Sequence, residues 1–146
     1  MEAANKRLRV MIDEPLGGAM NMAVDEAILQ AVNEGLAGPT LRLYGWSEPT
    51  ISLGYFQEYA EFEADERICG LAVVRRPTGG GAILHDDEVT YSLTMPVGAD
   101  DRGDIEGLYR LVHDAAAAVL AGAGVELAYR GGEERENSQR GPFFCF

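Results

Sequence analysis

The stretch LAVVRRPTGGGAILH, residues 71–85, decides how this chain of 146 residues folds. Residues 71–75 read as a buried-looking strand, and residues 82–85 resume as strand. Between them, Pro77 and the glycines Gly79, Gly80 and Gly81 break the pattern. Three successive glycines let backbone N–H groups approach a ligand without side chains in the way. Arg76, just before them, offers a planar fork of donors for phosphate, carboxylate or carbonyl oxygens. The competing reading is a flexible hairpin loop with two exposed arginines, and a glycine-rich loop alone does not choose between the two.

Working outward, Val89, Tyr91, Leu93 and Met95 alternate with Thr90, Ser92 and Thr94, the clearest half-buried strand in the chain. Upstream, residues 40–44 and 50–53 read as strands separated by a turn at Ser47, Glu48 and Pro49, and residues 8–12 as a first strand. Val24, Ala27, Ile28, Ala31 and Val32 follow helical spacing, with Asp25 and Glu26 in the first turns and Gly35 as the stop. Residues 62–68 suggest a short helix closed by Gly70. Downstream, Asp104 can cap a second helix with the apolar face Ile105, Leu108, Leu111, Val112, Ala115 and Val119. A strand is expected over residues 125–129, a mobile polar loop over 130–139, and the start of another strand at 142–146. The pattern predicts an α+β fold: a mixed, mostly antiparallel sheet flanked by helices, in one domain spanning residues 1–146.

Composition removes several classes of function. Twelve basic against 24 acidic residues give a net charge of −12, which argues against nucleic-acid binding. The most apolar helical run, residues 115–121, is too short to cross a bilayer, and the start of the chain does not resemble a signal peptide. A cytoplasmic protein away from membranes is expected. Two cysteines make neither a disulfide framework nor a Cys-rich zinc site. No metal is expected: the histidines lack metal-binding spacing, and Asp86, Asp87 and Glu88 read mainly as a solvated turn. His113 reads as a surface residue of its helix. For His85 a ligand-orienting role competes with a structural hydrogen bond. Cys69 reads as a small packing residue. Cys145 is inert by default, because nucleophilic use needs a cation or helix N-terminus to lower a thiol pKa of about 8.5. Only Arg140 is near it in sequence.

Several motifs then occur in register. They are Asn21-Met22-Ala23-Val24-Asp25-Glu26-Ala27, Tyr44-Gly45-Trp46-Ser47-Glu48-Pro49, Ser52-Leu53-Gly54-Tyr55-Phe56-Gln57, the Arg-Arg-Pro-Thr-Gly-Gly segment, and Glu88-Val89-Thr90-Tyr91-Ser92. Together they resemble the biotin/lipoate protein ligase catalytic domain family, most of all its octanoyltransferases of the LipM type. The resemblance covers most of residues 11–130, then Cys145-Phe146. It implies an acyl chain in a tunnel beside the glycine loop, with Trp46 lining the acyl site. Arg76, Gly79, Gly80, Gly81 and His85 would enclose the acyl carbonyl and its leaving group, and Cys145 would be the nucleophile. The implied reaction moves an octanoyl group from acyl carrier protein to Cys145, then to a lysine of a lipoyl-type domain such as the glycine-cleavage H protein. No cofactor is implied.

Two departures from the pattern matter. Gly81 stands where LipM-type enzymes often carry arginine, and three glycines are typical of the ATP-dependent lipoate–protein ligases. A ligase using ATP and Mg²⁺ is therefore the alternative, and a non-catalytic acyl- or carrier-binding fragment the third reading. The family pattern also continues past Cys145 into further strands and a lysine. The resemblance thus implies a C-terminally incomplete domain, poorly active alone.

Overall fold

The computed structural model describes residues 7–62, 66–96 and 105–127. They fall into two units, one up to Pro96 and one from residue 105 onward. The first unit runs β1 (Arg9–Ile12), α1 (Gly18–Asn33), β2 (Thr40–Tyr44), β3 (Thr50–Leu53), 3-10 turns at Tyr59–Glu61 and Glu66–Ile68, β4 (Ala72–Arg75), β5 (Ile83–His85) and β6 (Thr90–Thr94). The second unit is built on one helix, α2 (Ile105–Gly122).

The strands form two three-stranded sheets where the sequence suggests one, ordered β1-β2-β6 and β4-β3-β5. Each central strand pairs parallel on one side and antiparallel on the other. The fold is α+β with mixed pairing, as expected, but the balance between the two kinds of pairing is even among the described strands. The parallel pair β1–β2 exists because α1 carries the chain back to the starting end, the crossover that parallel neighbours need. α1 packs against β4 of one sheet and β6 of the other, so a single helix bridges both sheets.

β3 is buried on both faces, and its alternation sorts two environments. Ile51 and Leu53 point into an apolar cluster with Phe62, Ile68 and Ala82. Burying each large side chain of that cluster contributes about 1.5–3 kcal/mol. Thr50 and Ser52 point the other way, on the face they share with Ile83 and His85 of β5. The β1-β2-β6 sheet is unusual in what it hides. Thr40, Arg42 and Tyr44 of β2 are buried, whereas Leu41 and Leu43 are only half-buried.

Arg42 is fully buried and explains that inversion. Its Nε donates to Asp13 at 2.6 Å and its Nη1 to Asp25 at 3.0 Å. Its terminal nitrogens also reach the carbonyl and side-chain oxygens of Asn21 at 3.2 and 2.9 Å, and the guanidinium lies 4.0 Å over the Tyr44 ring. Tyr44 and Ser92 complete the cluster by donating to Asp25 at 2.9 and 2.7 Å. Buried charge is tolerated only when paired and hydrogen-bonded in this manner. Every buried side-chain polar atom among the described residues has a partner.

Several expectations need correction. α1 begins at Gly18, not in the Val24 region, so Asp25 lies deep in the helix and serves Arg42 rather than the helix dipole. Ala27 is exposed; Asn21 joins Ile28 and Val32 as the buried side chains. Of the short helix expected over 62–68, the described residues give a turn at Phe62 and the 3-10 turn Glu66–Ile68, with residues 63–65 outside the described residues, and β4 is half-buried with Arg75 exposed. In β6 the inward residues are Thr90 and Ser92, whereas Val89 is 79% exposed and Tyr91 and Met95 also face outward. Residues 125–127 are in no strand. Asp104 and residues 128–146, including the expected mobile loop and final strand, lie outside the described residues.

α2 by itself leaves Leu111 and Val119 of its apolar stripe exposed. His113 is exposed on it, as expected, with its ring 6.1 Å from that of Tyr109. No helix among the described residues is long and apolar enough to cross a membrane.

Candidate functional site

β3 ends at Leu53 and β4 at Arg75, and the two loops that follow are tied to each other. Arg75 Nη1 donates to the carbonyls of Gly54, Tyr55 and Gln57 at 2.9, 3.1 and 2.6 Å. The Tyr55 amide donates to the Thr78 carbonyl at 2.8 Å, and the Arg76 amide to that of Leu53 at 3.0 Å. The second loop is the glycine run. Of its three glycines, Gly80 alone adopts positive φ, +93°, a conformation that other residues rarely take.

Arg76 holds this loop from within. Its Nη1 donates to the carbonyl and hydroxyl oxygens of Ser52 at 2.8 and 3.0 Å. Its Nη2 donates to the carbonyls of Gly79 and Gly81 at 2.9 and 2.6 Å. All four terminal N–H groups of the guanidinium are thus directed at the protein's own backbone and Ser52. Arg76 thus shapes the loop from within. Among the described residues, none accepts a hydrogen bond from the amides of Gly79, Gly80 or Gly81. Those amides are the donors this loop presents.

His85 and Trp46 stand together at the end of β5. Their rings stack at 4.0 Å with an interplanar angle of 12°, and both are buried. His85 Nε2 is 2.7 Å from Ser52 Oγ and Nδ1 is 2.6 Å from Glu88 Oε1. Glu88 also accepts from Thr90 Oγ1 at 2.8 Å, and Thr90 accepts from Trp46 Nε1 at 2.8 Å. Glu88 is exposed in a bend, as the reading of a solvated turn expects, but the sequence reading gave Glu88, Ser52 and Thr90 no place in the site. The available signal was a serine inside the otherwise apolar end of β3. Nearby, the Tyr44 phenol is pushed well above its ordinary range, by burial first and then by the Asp25 carboxylate.

The structure therefore brings Trp46, Arg76, Gly79, Gly80, Gly81 and His85 into one site through Ser52. Cys145 lies outside the described residues. Cys69 is exposed in the turn before β4, not packed as expected. Among the described residues no cluster of His, Cys, Asp and Glu could hold a metal ion. A concavity of about 390 Å³ against Leu53, Tyr59, Leu71, Val73, Val74 and Arg75 runs along β4 and includes none of the loop glycines.

Residues 18–139 match the lipoyl protein ligase A/B catalytic domain. The chain is 50% identical over 131 residues to an octanoyltransferase LipM of Moorella thermoacetica, covering 81% of this chain and 46% of that protein. It is 42% identical over 147 residues to the octanoyltransferase LipM of Brevibacillus brevis, covering 94% and 52%. Among solved structures it superposes on a bi-partite lipoate protein ligase of Thermoplasma acidophilum, studied with its E2 lipoyl domain. That match has a TM-score of 0.61 and 28% identity over 86% of this chain and 48% of the other. A lipoate-protein ligase A bound with ATP gives a TM-score of 0.63 and 27% identity over 88% and 51%. The chain spans about half the length of the curated relatives it matches. With its glycine loop, Trp46 and His85 inside the matched region, the chain belongs to the lipoyl protein ligase A/B catalytic domain family.

Proposed function

We propose that this chain carries the acyl-binding part of a cysteine-dependent octanoyltransferase acting in protein lipoylation. The observation that supports it most is the row of amides at Gly79, Gly80 and Gly81 that no described residue engages, on a loop that Arg76 and Ser52 link to the stacked Trp46 and His85. Donors fixed in advance stabilise the oxyanion that forms when a thioester carbonyl is attacked. The relatives named octanoyltransferase LipM support octanoyl as the acyl group.

In this reading the thiolate of Cys145 attacks the carbonyl of an octanoyl thioester on acyl carrier protein. A new C–S bond forms and the carrier's thiolate leaves. A neutral lysine amine of a lipoyl-type acceptor, such as H protein, then attacks the acyl-enzyme. A C–N bond forms, the Cys145 sulfur leaves, and it takes up the proton the amine gives off. Thioester exchange is close to balanced in free energy, so neither ATP nor another cofactor is required. The archaeal ligase studied with its E2 lipoyl domain supports the acceptor class. The reading places the protein in the cytoplasm with its carrier donor.

The alternative is an ATP-dependent lipoate–protein ligase. Gly81 and the likeness to a ligase bound with ATP favour it. Intact mass after incubation with octanoyl-acyl carrier protein, without ATP or Mg²⁺, separates the two. The acyltransferase gains an octanoyl adduct. A protein that acylates a lipoyl domain only from free acid plus ATP is a ligase.

A further inference from the structure

Hydrogen-bond direction along the site can be assigned almost atom by atom. A carboxylate only accepts, so Glu88 requires that His85 Nδ1 carry the hydrogen. With the ring neutral, Nε2 is then an acceptor, and the Ser52 hydroxyl donates to it. Ser52 Oγ in turn accepts from Arg76 Nη1, whose guanidinium can only donate. Thr90 donates to the same Glu88 Oε1 while accepting from the Trp46 indole. The bonds along the series Trp46, Thr90, Glu88, His85, Ser52, Arg76 run in a consistent sense, with Glu88 Oε1 accepting from both Thr90 and His85.

The series ends on the glycine loop. Arg76 Nη2 draws the carbonyls of Gly79 and Gly81 toward itself. In a planar trans peptide the carbonyl and the following N–H point in opposite directions. The Gly80 amide, which follows the Gly79 carbonyl, must therefore aim away from the guanidinium. Turning Arg76 would turn the amides, and Ser52 fixes Arg76 through both its carbonyl and its hydroxyl.

We infer that Glu88 and Ser52 are positioning residues for the acyl site, acting through His85 and Arg76 to fix the direction in which the glycine loop presents its amides. The inference rests on the loop being the acyl-carbonyl cradle proposed above. Neither residue needs to touch substrate. Glu88 sets the tautomer of His85, and the tautomer sets which way the Ser52 hydroxyl points. With that direction the Ser52 hydrogen has an acceptor in His85 Nε2 while Ser52 Oγ accepts from Arg76. In the opposite tautomer, Nε2–H would donate to Ser52 and the serine hydrogen would have no acceptor among the described residues.

The test uses ¹⁵N NMR of the imidazole nitrogens in this chain, with His113→Gln to remove the second histidine signal. At a pH where the His85 ring is neutral, its hydrogen is expected at Nδ1. Glu88→Ala should mix the tautomers and move the amide signals of Gly79, Gly80 and Gly81. Glu88→Gln, whose side-chain oxygen still accepts from Nδ1–H, should restore both. In octanoyl transfer, Glu88→Ala should lower kcat about 10- to 100-fold with KM changed less than about threefold, and Glu88→Gln should recover most of the loss. Glu88 is partly exposed, so its variants are expected to fold even where Ser52→Ala does not. A wild-type ring protonated at Nε2 would overturn the inference, as would loop amides and kcat that ignore Glu88→Ala. If the loop responds as described while a wild-type protein carrying the full catalytic domain transfers no octanoyl group, the relay stands and the proposed reaction falls.

Discussion

The carbonyl oxygen of Gly80 sits so close to the Cα of Gly54 that a methyl group on Gly54 would overlap it. The end of β3 and the glycine loop thus touch backbone to backbone. Gly54→Ala must push the loop outward, away from the arrangement that Arg76 holds. Overpacking of this kind costs about 1–3 kcal/mol. Thermal unfolding should show that loss, together with shifted amide signals for Gly79 and Gly81. An alanine variant as stable as wild type would mean that the contact is soft.

Arg42 is the residue on which α1 and the β1-β2-β6 sheet depend. Arg42→Met keeps the length of the side chain but leaves the Asp25 carboxylate, whose side chain is 11% exposed, without its cation. Removing one partner of a buried pair costs about 3–5 kcal/mol. Urea unfolding should register a loss of that size, and Asp25→Asn in the Arg42→Met background should return part of it. Additive losses in the double variant would show that the two residues do not depend on each other.

The Tyr44 phenol gives a pH dependence with a definite sign. Its pKa is raised in the folded chain, so the unfolded chain loses the proton first, from its ordinary value of about 10. The stabilisation is complete below about pH 10 and is lost as pH rises from there through the higher folded value. Stability should therefore fall on the alkaline side, and Tyr44→Phe should flatten that fall at a cost of about 1 kcal/mol near neutrality for the lost bond to Asp25. Urea midpoints between pH 8 and 11 test it. An alkaline limb unchanged in Tyr44→Phe would assign the fall to other groups.

The acyl adduct should form on Cys145 and not on Cys69. Cys69 is exposed, so simple accessibility would favour it for adventitious acylation, which makes the comparison informative. In a protein carrying the full catalytic domain, Cys145→Ser should abolish the octanoyl adduct seen by intact mass and Cys69→Ser should leave it. The reverse pattern would move the nucleophile.

Local pattern was enough for β2 and β3, whose bounds were legible because apolar and β-branched residues cluster between turn residues. The loop between β4 and β5 was legible too, since three glycines admit little else. Orientation was not legible. Reading β6 by hydrophobic alternation put Val89, Tyr91 and Met95 inside, whereas the chain turns Thr90 and Ser92 inward. The reason lies on other elements: Asp25, Trp46 and Glu88 supply partners that make a polar inner face favourable. The start of α1 was missed for a related reason, since Asn21 is buried for its bonds to Arg42 and to the carbonyls of Leu16 and Gly45.

The sequence by itself determined strands β1 to β6, the glycine loop and the family to which they point, because those depend on residue order and on backbone preferences that act locally. It also named Trp46, Arg76 and His85 as members of one site. Only the tertiary structure decided what each does there. Ser52 lies 33 residues before His85 in the chain and 24 before Arg76, yet its hydroxyl joins the two. Arg76 faces the loop carbonyls because Ser52 and the glycines surround its guanidinium, and no local rule encodes that direction. A hydrogen bond depends on where two atoms meet, and for residues far apart in the chain that is fixed by the packing of the strands that carry them.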